Sequence, residues 1–321
     1  MRWQRTVRLA AVAACLAAIQ AGCRKSASPP ASQPAKARPQ QRPPRPQAPP
    51  ADPNSFDGLI YRGDKAIEGG GFSQAIELFT KAADQRTDDL LALRGLANAL
   101  TLAGQHSRAA ETYRRIIELQ PTDRTARFDL AVALSRLRSF GEAEEIYRQL
   151  LAEDEDFVQA RYNLAALYQV QGKLAAACQC WQEVIRRAPQ FATAHASLGA
   201  ALMDLGKPQE AMESFARAAE LRQDDPTIWM NLAAAAYSAG NLGRAAGAAR
   251  RATQLAETDP VAWRVLGDIM LAIHRKGGEQ EFLVEAAKAW QRSLELDPNQ
   301  PELRGRLIVT ETSDTAPGGG G

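Results

Sequence analysis

The chain has 321 residues, enough for two ordinary domains or one extended array. Hydrophobic residues make up 45% of it and charged residues 24%, which is typical of a globular protein. Nine of the 39 basic residues but only one of the 37 acidic residues lie in residues 1–55, so residues 56–321 carry a net charge of −6. This balance argues against nucleic acid as a partner, because binding phosphates needs a basic face.

Residues 1–22 have the features of a lipoprotein-type signal peptide. Three arginines in the first eight residues precede an uncharged apolar run of 11 residues, which is too short for a membrane span. The run ends in Ile-Gln-Ala-Gly-Cys, which resembles a bacterial lipobox, although Gln20 stands where leucine is usual. The resemblance implies that Cys23 is lipidated and becomes the first residue. Ordinary cleavage after Ala21 is the alternative.

Residues 23–55 are predicted to form a proline-rich, disordered tether. Ten of the 18 prolines lie between residues 24 and 55, where aliphatic side chains are almost absent. Proline removes backbone donors and fixes φ, and a segment with so little to bury stays unfolded. The tether carries six basic residues and one acid, so loose contact with anionic lipid or cell-wall polymer is the alternative to a plain spacer.

From Phe56 onward the chain repeats with a period of 34 residues. Position 20 of each row is alanine, position 8 is glycine or alanine, and position 24 is aromatic except at Ala249. Small residues at 8 and 20 let two helices approach closely, and the aromatic residue fills the space beside them. The seventh row carries seven extra residues. The rows are 56–89, 90–123, 124–157, 158–191, 192–225, 226–259 and 260–300.

This pattern resembles the tetratricopeptide repeat (TPR) family. Trp263-x-x-Leu266-Gly267 matches the opening of the family consensus, and Ala286-x-x-x-Trp290 matches its second half. The resemblance implies an all-α fold, a TPR α-solenoid of antiparallel helix pairs that forms a right-handed superhelix. Stacking of neighbouring rows would then bury the apolar stripes that no row buries alone.

Several places depart from the repeat. Arg138 replaces the glycine that ends the first helix in other rows, and Arg62 replaces leucine in the first row. The seven extra residues around His274 predict either longer helices or a longer loop. Residues 301–310 are predicted to form a capping helix, and residues 311–321 a disordered tail.

No catalytic residue, metal site or cofactor is predicted. The three histidines fall in different rows, whereas metal and nucleophile sites need convergent groups. Cys178 and Cys180 point about 200° apart on a helix, so they cannot share a metal or a disulfide. We therefore expect two free thiols, and a protein that is not an enzyme and has no small-molecule substrate.

The resemblance also implies a partner-binding groove. In the TPR family, positions 2, 5, 9, 12 and 13 of the first helices line a concave face. Here these positions hold aromatic and methionine side chains beside small residues, which favours an apolar peptide partner over a carboxylate clamp, whose lysines are missing. Partial packing of these side chains between helices is the alternative. The predicted groove residues are Arg94, Asn98, Phe128, Tyr162, Gln169, Met203, Met230 and Tyr237.

Two functional hypotheses follow. The first is a non-catalytic scaffold or adaptor in the bacterial cell envelope that binds a protein or peptide segment in the groove. It would be exported and attached to the membrane by the lipid on Cys23, in the periplasm or at the outer membrane, with a soluble secreted or periplasmic protein as the alternative. The second is a structural envelope component that associates with itself.

Overall fold

The computed structural model describes residues 52–314, and every regular element in that range is an α-helix. The predicted all-α class is therefore confirmed. The signal peptide, Cys23, tether residues 24–51 and the tail from residue 315 lie outside the described residues. The helices of the described range are α1 (Phe56–Glu68), α2 (Phe72–Gln85), α3 (Leu90–Leu102), α4 (His106–Leu119), α5 (Arg124–Arg136), α6 (Phe140–Glu153), α7 (Val158–Val170), α8 (Leu174–Arg187), α9 (Ala192–Asp204), α10 (Pro208–Leu221), α11 (Pro226–Ser238), α12 (Leu242–Leu255), α13 (Pro260–Arg275), α14 (Gln280–Leu296) and α15 (Pro301–Asp314).

Two compact units meet in the chain between Gly172 and Lys173. Among the described residues, the first unit contains α1 to α7 and the second contains α8 to α15. Within each unit, consecutive helices pack against each other and are joined by three or four residues. Loops this short make neighbouring helices antiparallel. The odd-numbered helices from α1 to α13 each begin at the first residue of a 34-residue row.

Aspartate caps the first helix in four rows. The Asp89 carboxylate accepts hydrogen bonds from the backbone N–H groups of Leu91 and Ala92 at 2.8 and 3.2 Å. Three further aspartates cap α5, α11 and α13 in the same way, and proline follows the cap in α11 and α13. These caps satisfy N–H groups that have no partner within the helix, and they fix the helix starts at the starts of the rows.

In the first six rows, the first helix ends in a left-handed residue at position 15. Gly104 has φ +74°, its N–H donates to the Thr101 carbonyl at 3.1 Å, and the next N–H donates to the Leu100 carbonyl at 2.9 Å. This pair of bonds is a Schellman motif, which favours glycine. Arg138 adopts the same conformation with φ +61° and makes the same two bonds. The third row therefore keeps its turn at the cost of a strained non-glycine residue.

Replacing Arg138 with glycine should raise the free energy of unfolding by about 0.5–1 kcal/mol. Glycine relieves the left-handed strain, although its greater freedom in the unfolded chain offsets part of the gain. The exposed Arg138 side chain makes no hydrogen bond or ion pair with any described residue. Urea denaturation measures the change, and Gly104→Ala at the equivalent position should lower stability by about 1–2 kcal/mol. A less stable R138G protein would contradict the strain argument.

An interlock between a small residue and an aromatic ring fixes the distance between paired helices. A Cβ atom added at Gly267 would lie 2.4 Å from Trp290 Nε1, and one added at Gly63 would lie 2.7 Å from the Phe79 ring. Both rings are at most 1% exposed, so they have no free space to move into. In the sixth row, where Ala249 replaces the ring, the alanines of α11 and α12 are themselves buried.

We expect Gly267→Ala to lower the free energy of unfolding by about 1–3 kcal/mol, because the added methyl group overpacks the contact with Trp290. The matched control is Gly247→Ala in the middle of α12, where an added Cβ meets no atom within 4 Å. That control should gain up to about 1 kcal/mol from its better helix propensity. Equal effects of the two substitutions in thermal or urea denaturation would argue against the interlock.

The seventh row accommodates its seven extra residues mainly in its helices. α13 has 16 residues and α14 has 17, whereas the first and second helices of the earlier rows have 13 and 14. Of the two predicted outcomes, longer helices are the correct one. The connecting segment grows by one residue and contains Gly277 with φ +93°.

The capping helix α15 is longer than predicted. It runs to Asp314 rather than to residue 310, so residues 311–314 of the predicted tail are helical. No glycine or proline lies between Gly305 and Pro317, so nothing in the sequence ends the helix at 310. Leu303 is buried, and Arg306 forms an ion pair with Asp268.

The last four residues of the predicted tether are also folded. The Asp52 carboxylate accepts from the Asn54 N–H at 2.8 Å, and Ser55 Oγ accepts from the Gly58 N–H at 3.2 Å as the cap of α1. Gln85 Nε2 on α2 donates to the Asn54 carbonyl at 2.8 Å. The prediction placed the start of the folded region at Phe56 because it weighed the prolines and not these capping side chains.

Candidate partner-binding groove

The predicted groove residues divide between the two units. Arg94, Asn98, Phe128, Tyr162 and Gln169 lie on α3, α5 and α7 of the first unit. Asn98 is exposed and the other four are partly exposed. The remaining three predicted residues lie on α9 and α11 of the second unit and are also partly exposed. They are Met203, Met230 and Tyr237.

Arg94 links two rows of the first unit. Its guanidinium donates to Asp123 Oδ2 at 2.7 Å and to Gln120 Oε1 at 2.8 Å. Asp123 is only 4% exposed and also caps α5. The Asp123 carboxylate therefore holds the Arg94 guanidinium in one orientation. Arg94 thus contributes a fixed polar group rather than a mobile charge.

Phe128 belongs to an aromatic cluster at the next row. Its ring centroid lies 5.3 Å from that of Phe157 and 6.0 Å from that of Tyr147, which it meets edge-on. The Arg124 guanidinium lies over the Phe157 ring at 4.5 Å. Tyr147 is 1% exposed, whereas Phe128 and Phe157 are partly exposed. The cluster thus combines a rigid buried base with apolar surface that water still reaches.

The buried tyrosines of the first unit hold groove side chains through their hydroxyl groups. The Tyr147 hydroxyl is hydrogen-bonded to Ser135 and Asn163, on the first helices of two successive rows. Tyr113 and Thr101 Oγ1 are 3.3 Å apart in the second row. Burial raises the pKa of Tyr147 far above the working range, so this hydroxyl keeps its proton and remains a donor.

The second unit repeats this arrangement with an indole. Trp290 Nε1 donates to Asp268 Oδ1 at 3.1 Å, and Arg306 of α15 pairs with the same carboxylate. Burial raises the pKa of Asp268 above its ordinary value, and the nearby arginine opposes that rise. Asp268, at position 9 of the seventh row, therefore has both of these partners within the same chain.

A side-chain hydrogen bond that recurs at position 4 of the rows was not identified from the sequence. In four rows this side chain donates to the backbone carbonyl six residues earlier, at the junction with the preceding row. The signal was present in the sequence, because arginine, histidine and tryptophan, which occupy position 4 in these rows, all carry an N–H donor. The four bonds are Arg161 to Glu155 (2.7 Å), His195 to Pro189 (3.0 Å), Trp229 to Gln223 (3.0 Å) and Trp263 to Glu257 (2.9 Å).

His195 makes the stability of the junction between the fourth and fifth rows depend on pH. Burial lowers the pKa of His195 below its ordinary value of 6.5, and Arg217 adds to the effect, while the bond to Pro189 and the charge of Glu220 oppose it. A lowered folded-state pKa means that the unfolded chain binds the proton more readily. The stability that His195 contributes is therefore present above pH 6.5 and is lost as the pH falls through the lowered value.

We expect His195→Gln to weaken this pH dependence. Glutamine retains an N–H donor for the Pro189 carbonyl but does not titrate. Urea denaturation at pH 7.5, 6.0 and 5.0 should show the wild-type protein losing more stability on acidification than H195Q. The pKa of His106 is also lowered by burial, but His106 is present in both proteins and cancels in the comparison. Parallel pH profiles would refute the assignment.

The cysteines and the possible metal ligands of the described residues were the remaining candidates for chemistry. Neither Cys178 nor Cys180 is part of a disulfide bond within the described residues, and burial raises the pKa of the Cys178 thiol, which favours its protonated form. Within residues 52–314 no group of three or more histidine, cysteine or acidic side chains is placed to hold a metal ion. In the same range, no helix has both the length and the apolar character to cross a bilayer.

The family follows from a direct match of the sequence to a family model. The tetratricopeptide repeat model matches residues 62–124, 128–179, 164–226 and 198–260, which together cover more than half of the chain. The chain belongs to the tetratricopeptide repeat family. The predicted resemblance is thereby confirmed, and TPR proteins bind protein or peptide partners. No match is found among curated protein sequences.

Solved structures show the same TPR fold. The C-terminal part of a TPR repeat-containing protein from Cytophaga hutchinsonii aligns with a TM-score of 0.66 and 15% identity, over 77% of this chain and 99% of that one. A TPR protein from Parabacteroides merdae aligns with a TM-score of 0.55 and 18% identity, over 80% and 99%. YrrB, described as a TPR protein with an unusual peptide-binding site, aligns with a TM-score of 0.53 and 19% identity, over 61% and 98%.

Proposed function

We propose that this TPR protein is a non-catalytic adaptor that binds an apolar segment of a partner protein along the first helices of its rows. The observation that carries the proposal is the contact between the partly exposed rings of Phe128 and Phe157, in which Phe128 also meets the ring of the buried Tyr147 edge-on. Exposed aromatic surface on a rigid base is typical of a recognition site.

Three features support a peptide-like partner. Tyr162 on α7 is a further partly exposed aromatic residue of the first unit, and partly exposed Met203 and Met230 offer adaptable apolar contacts in the second. The Arg94 guanidinium is already paired with Asp123, which argues against a carboxylate clamp at that place. The peptide-binding site of YrrB, on the same fold, is consistent with this class of partner.

The proposed setting is the bacterial cell envelope. The basic and apolar segments that precede Cys23 support export and lipidation, and the proline-rich tether would then separate the repeats from the membrane. Arg24 rather than aspartate follows the cysteine, which by resemblance to enterobacterial sorting favours the outer membrane. In this arrangement the anchor determines the location and the groove determines the partner.

A photoreactive amino acid in place of Tyr162, introduced in the native cell, tests the groove. The matched control replaces Arg148, whose side chain is 63% exposed on the second helix α6. We expect Tyr162 alone to capture one defined envelope protein, identified by mass spectrometry. Capture of only further copies of this chain would support the self-associating structural component instead. The same background at both positions would reject the groove.

The same crosslinking in a Cys23→Ser background separates the anchor from the groove. Wild-type protein should fractionate with membranes and carry acyl mass on Cys23, and C23S should fractionate as a soluble protein. A purified partner should still crosslink to soluble C23S at Tyr162, because the groove does not depend on the lipid. Absence of acyl mass on the wild-type protein would reject the anchor without affecting the adaptor.

A further inference from the structure

A cleft of about 560 Å³ opens in the second unit, and none of the predicted groove residues lines it. It lies between α10 and α12, the second helices of the fifth and sixth rows, with α11 beneath it. Trp229, Leu232 and Ala248 are among the residues that form its apolar wall, and Arg244 and Arg251 stand at its edge. Cavities with an apolar interior and a few fixed polar groups are typical of binding sites.

The sequence explains why the cleft occurs at this junction. Position 22, which faces the gap, is glutamate or glutamine in rows one to five but is Gly247 in the sixth row. Position 25 of the fifth row is Ala216, whereas the second, third and sixth rows have arginine there. Two long side chains are therefore replaced by two of the smallest, and the space between the helices stays open.

A cross-row ion pair is also lost here. Arg114 at position 25 pairs with Glu142 at position 19 of the next row at 2.9 Å, and Arg250 pairs with Glu285 in the same way at 2.7 Å. Between the fifth and sixth rows the corresponding residues are Ala216 and Arg244. The arginine now stands where the other two junctions have a carboxylate, and it faces an alanine.

The edge of the cleft therefore carries positive charge without a matching carboxylate. The Arg244 side chain makes no hydrogen bond or ion pair with any described residue. Arg251 has only a long contact to Gln254 Oε1 at 3.4 Å. Glu220, the one acid among the residues that line the cleft, is paired with Arg217 at 2.7 Å. Two guanidinium groups are thus available to an incoming anion.

We propose that this cleft binds a short acidic segment of a second partner protein. Carboxylates of the segment pair with Arg244 and Arg251, and an apolar side chain beside them packs against the Trp229 ring. That ring is fixed by the bond from its Nε1 to the Gln223 carbonyl at 3.0 Å, so the wall is preorganised. Since none of the predicted groove residues lines the cleft, one adaptor would be able to hold two proteins.

An array of eight-residue peptides provides the probe. Each peptide places two glutamates among leucine, phenylalanine and alanine, and its control carries lysine in place of glutamate. The purified repeat protein should be retained by glutamate peptides and not by their lysine counterparts. The best peptide is then titrated in solution by fluorescence anisotropy, where its affinity should fall as salt rises.

Two glycine variants on α12 locate the site. Gly247→Gln installs the type of side chain that the other rows carry at position 22 and should reduce affinity at least tenfold. Gly243→Gln adds the same side chain to the same helix outside the cleft and should leave affinity unchanged. An added Cβ meets no atom within 4 Å at either position, and both changes favour helix, so neither should unfold the protein.

The double variant Arg244→Gln and Arg251→Gln tests the charges. It should also bind at least tenfold more weakly and lose most of the salt dependence. Equal binding by Gly247→Gln and Gly243→Gln, or equal retention of glutamate and lysine peptides, would overturn the proposal. Neither result would affect the groove, because the Tyr162 crosslink reports on that site separately.

Discussion

The contact between a small residue on the first helix of a row and an aromatic ring on the second is the constraint on which the structure depends. Gly267 with Trp290 and Gly63 with Phe79 bring the helix pairs so close that no further methyl group fits. Because the two helices of a row lie close together, each row packs against the next through a narrow surface. Where the sixth row lacks the ring, buried alanines on both of its helices take over the contact.

The same rings also organise the surface. Tyr147 is buried in the core of the first unit, yet its hydroxyl is hydrogen-bonded to Ser135 and Asn163 on the exposed side of the first helices, and Trp290 reaches Asp268 in the same way. The side chains of the candidate groove are therefore positioned by residues whose main role is packing. In this TPR protein, the same side chains pack in the core through their rings and support the candidate recognition surface through their polar atoms.

Contacts within a row could be read from the sequence, and contacts between rows could not. The aspartate caps, the row starts and the turn at Arg138 depend on residues a few positions apart, whose geometry the helix itself dictates. The Arg94 pair with Asp123 spans 29 residues, and its geometry depends on how one row tilts on the next. For the same reason the cleft beside Gly247 could not be predicted, because it depends on Ala216 in the neighbouring row. The extent of α15 and the folded residues 52–55 were missed because proline-rich or polar composition outweighed local capping bonds.

Helix length has a consequence for how such a protein can evolve. In the first six rows, helices of 13 and 14 residues and uniform connections give each row the same backbone length as its neighbours, so that an added or deleted row would keep the helices in register even where side chains at the junctions differ. The seventh row is different, because α13 and α14 each extend by three residues, about 4.5 Å, and α13 and α15 are joined through the Asp268 and Arg306 ion pair. A copy of that row placed elsewhere would lack its terminal helix. The seventh row and α15 therefore form one structural unit, which the earlier rows, with their shorter helices, do not need.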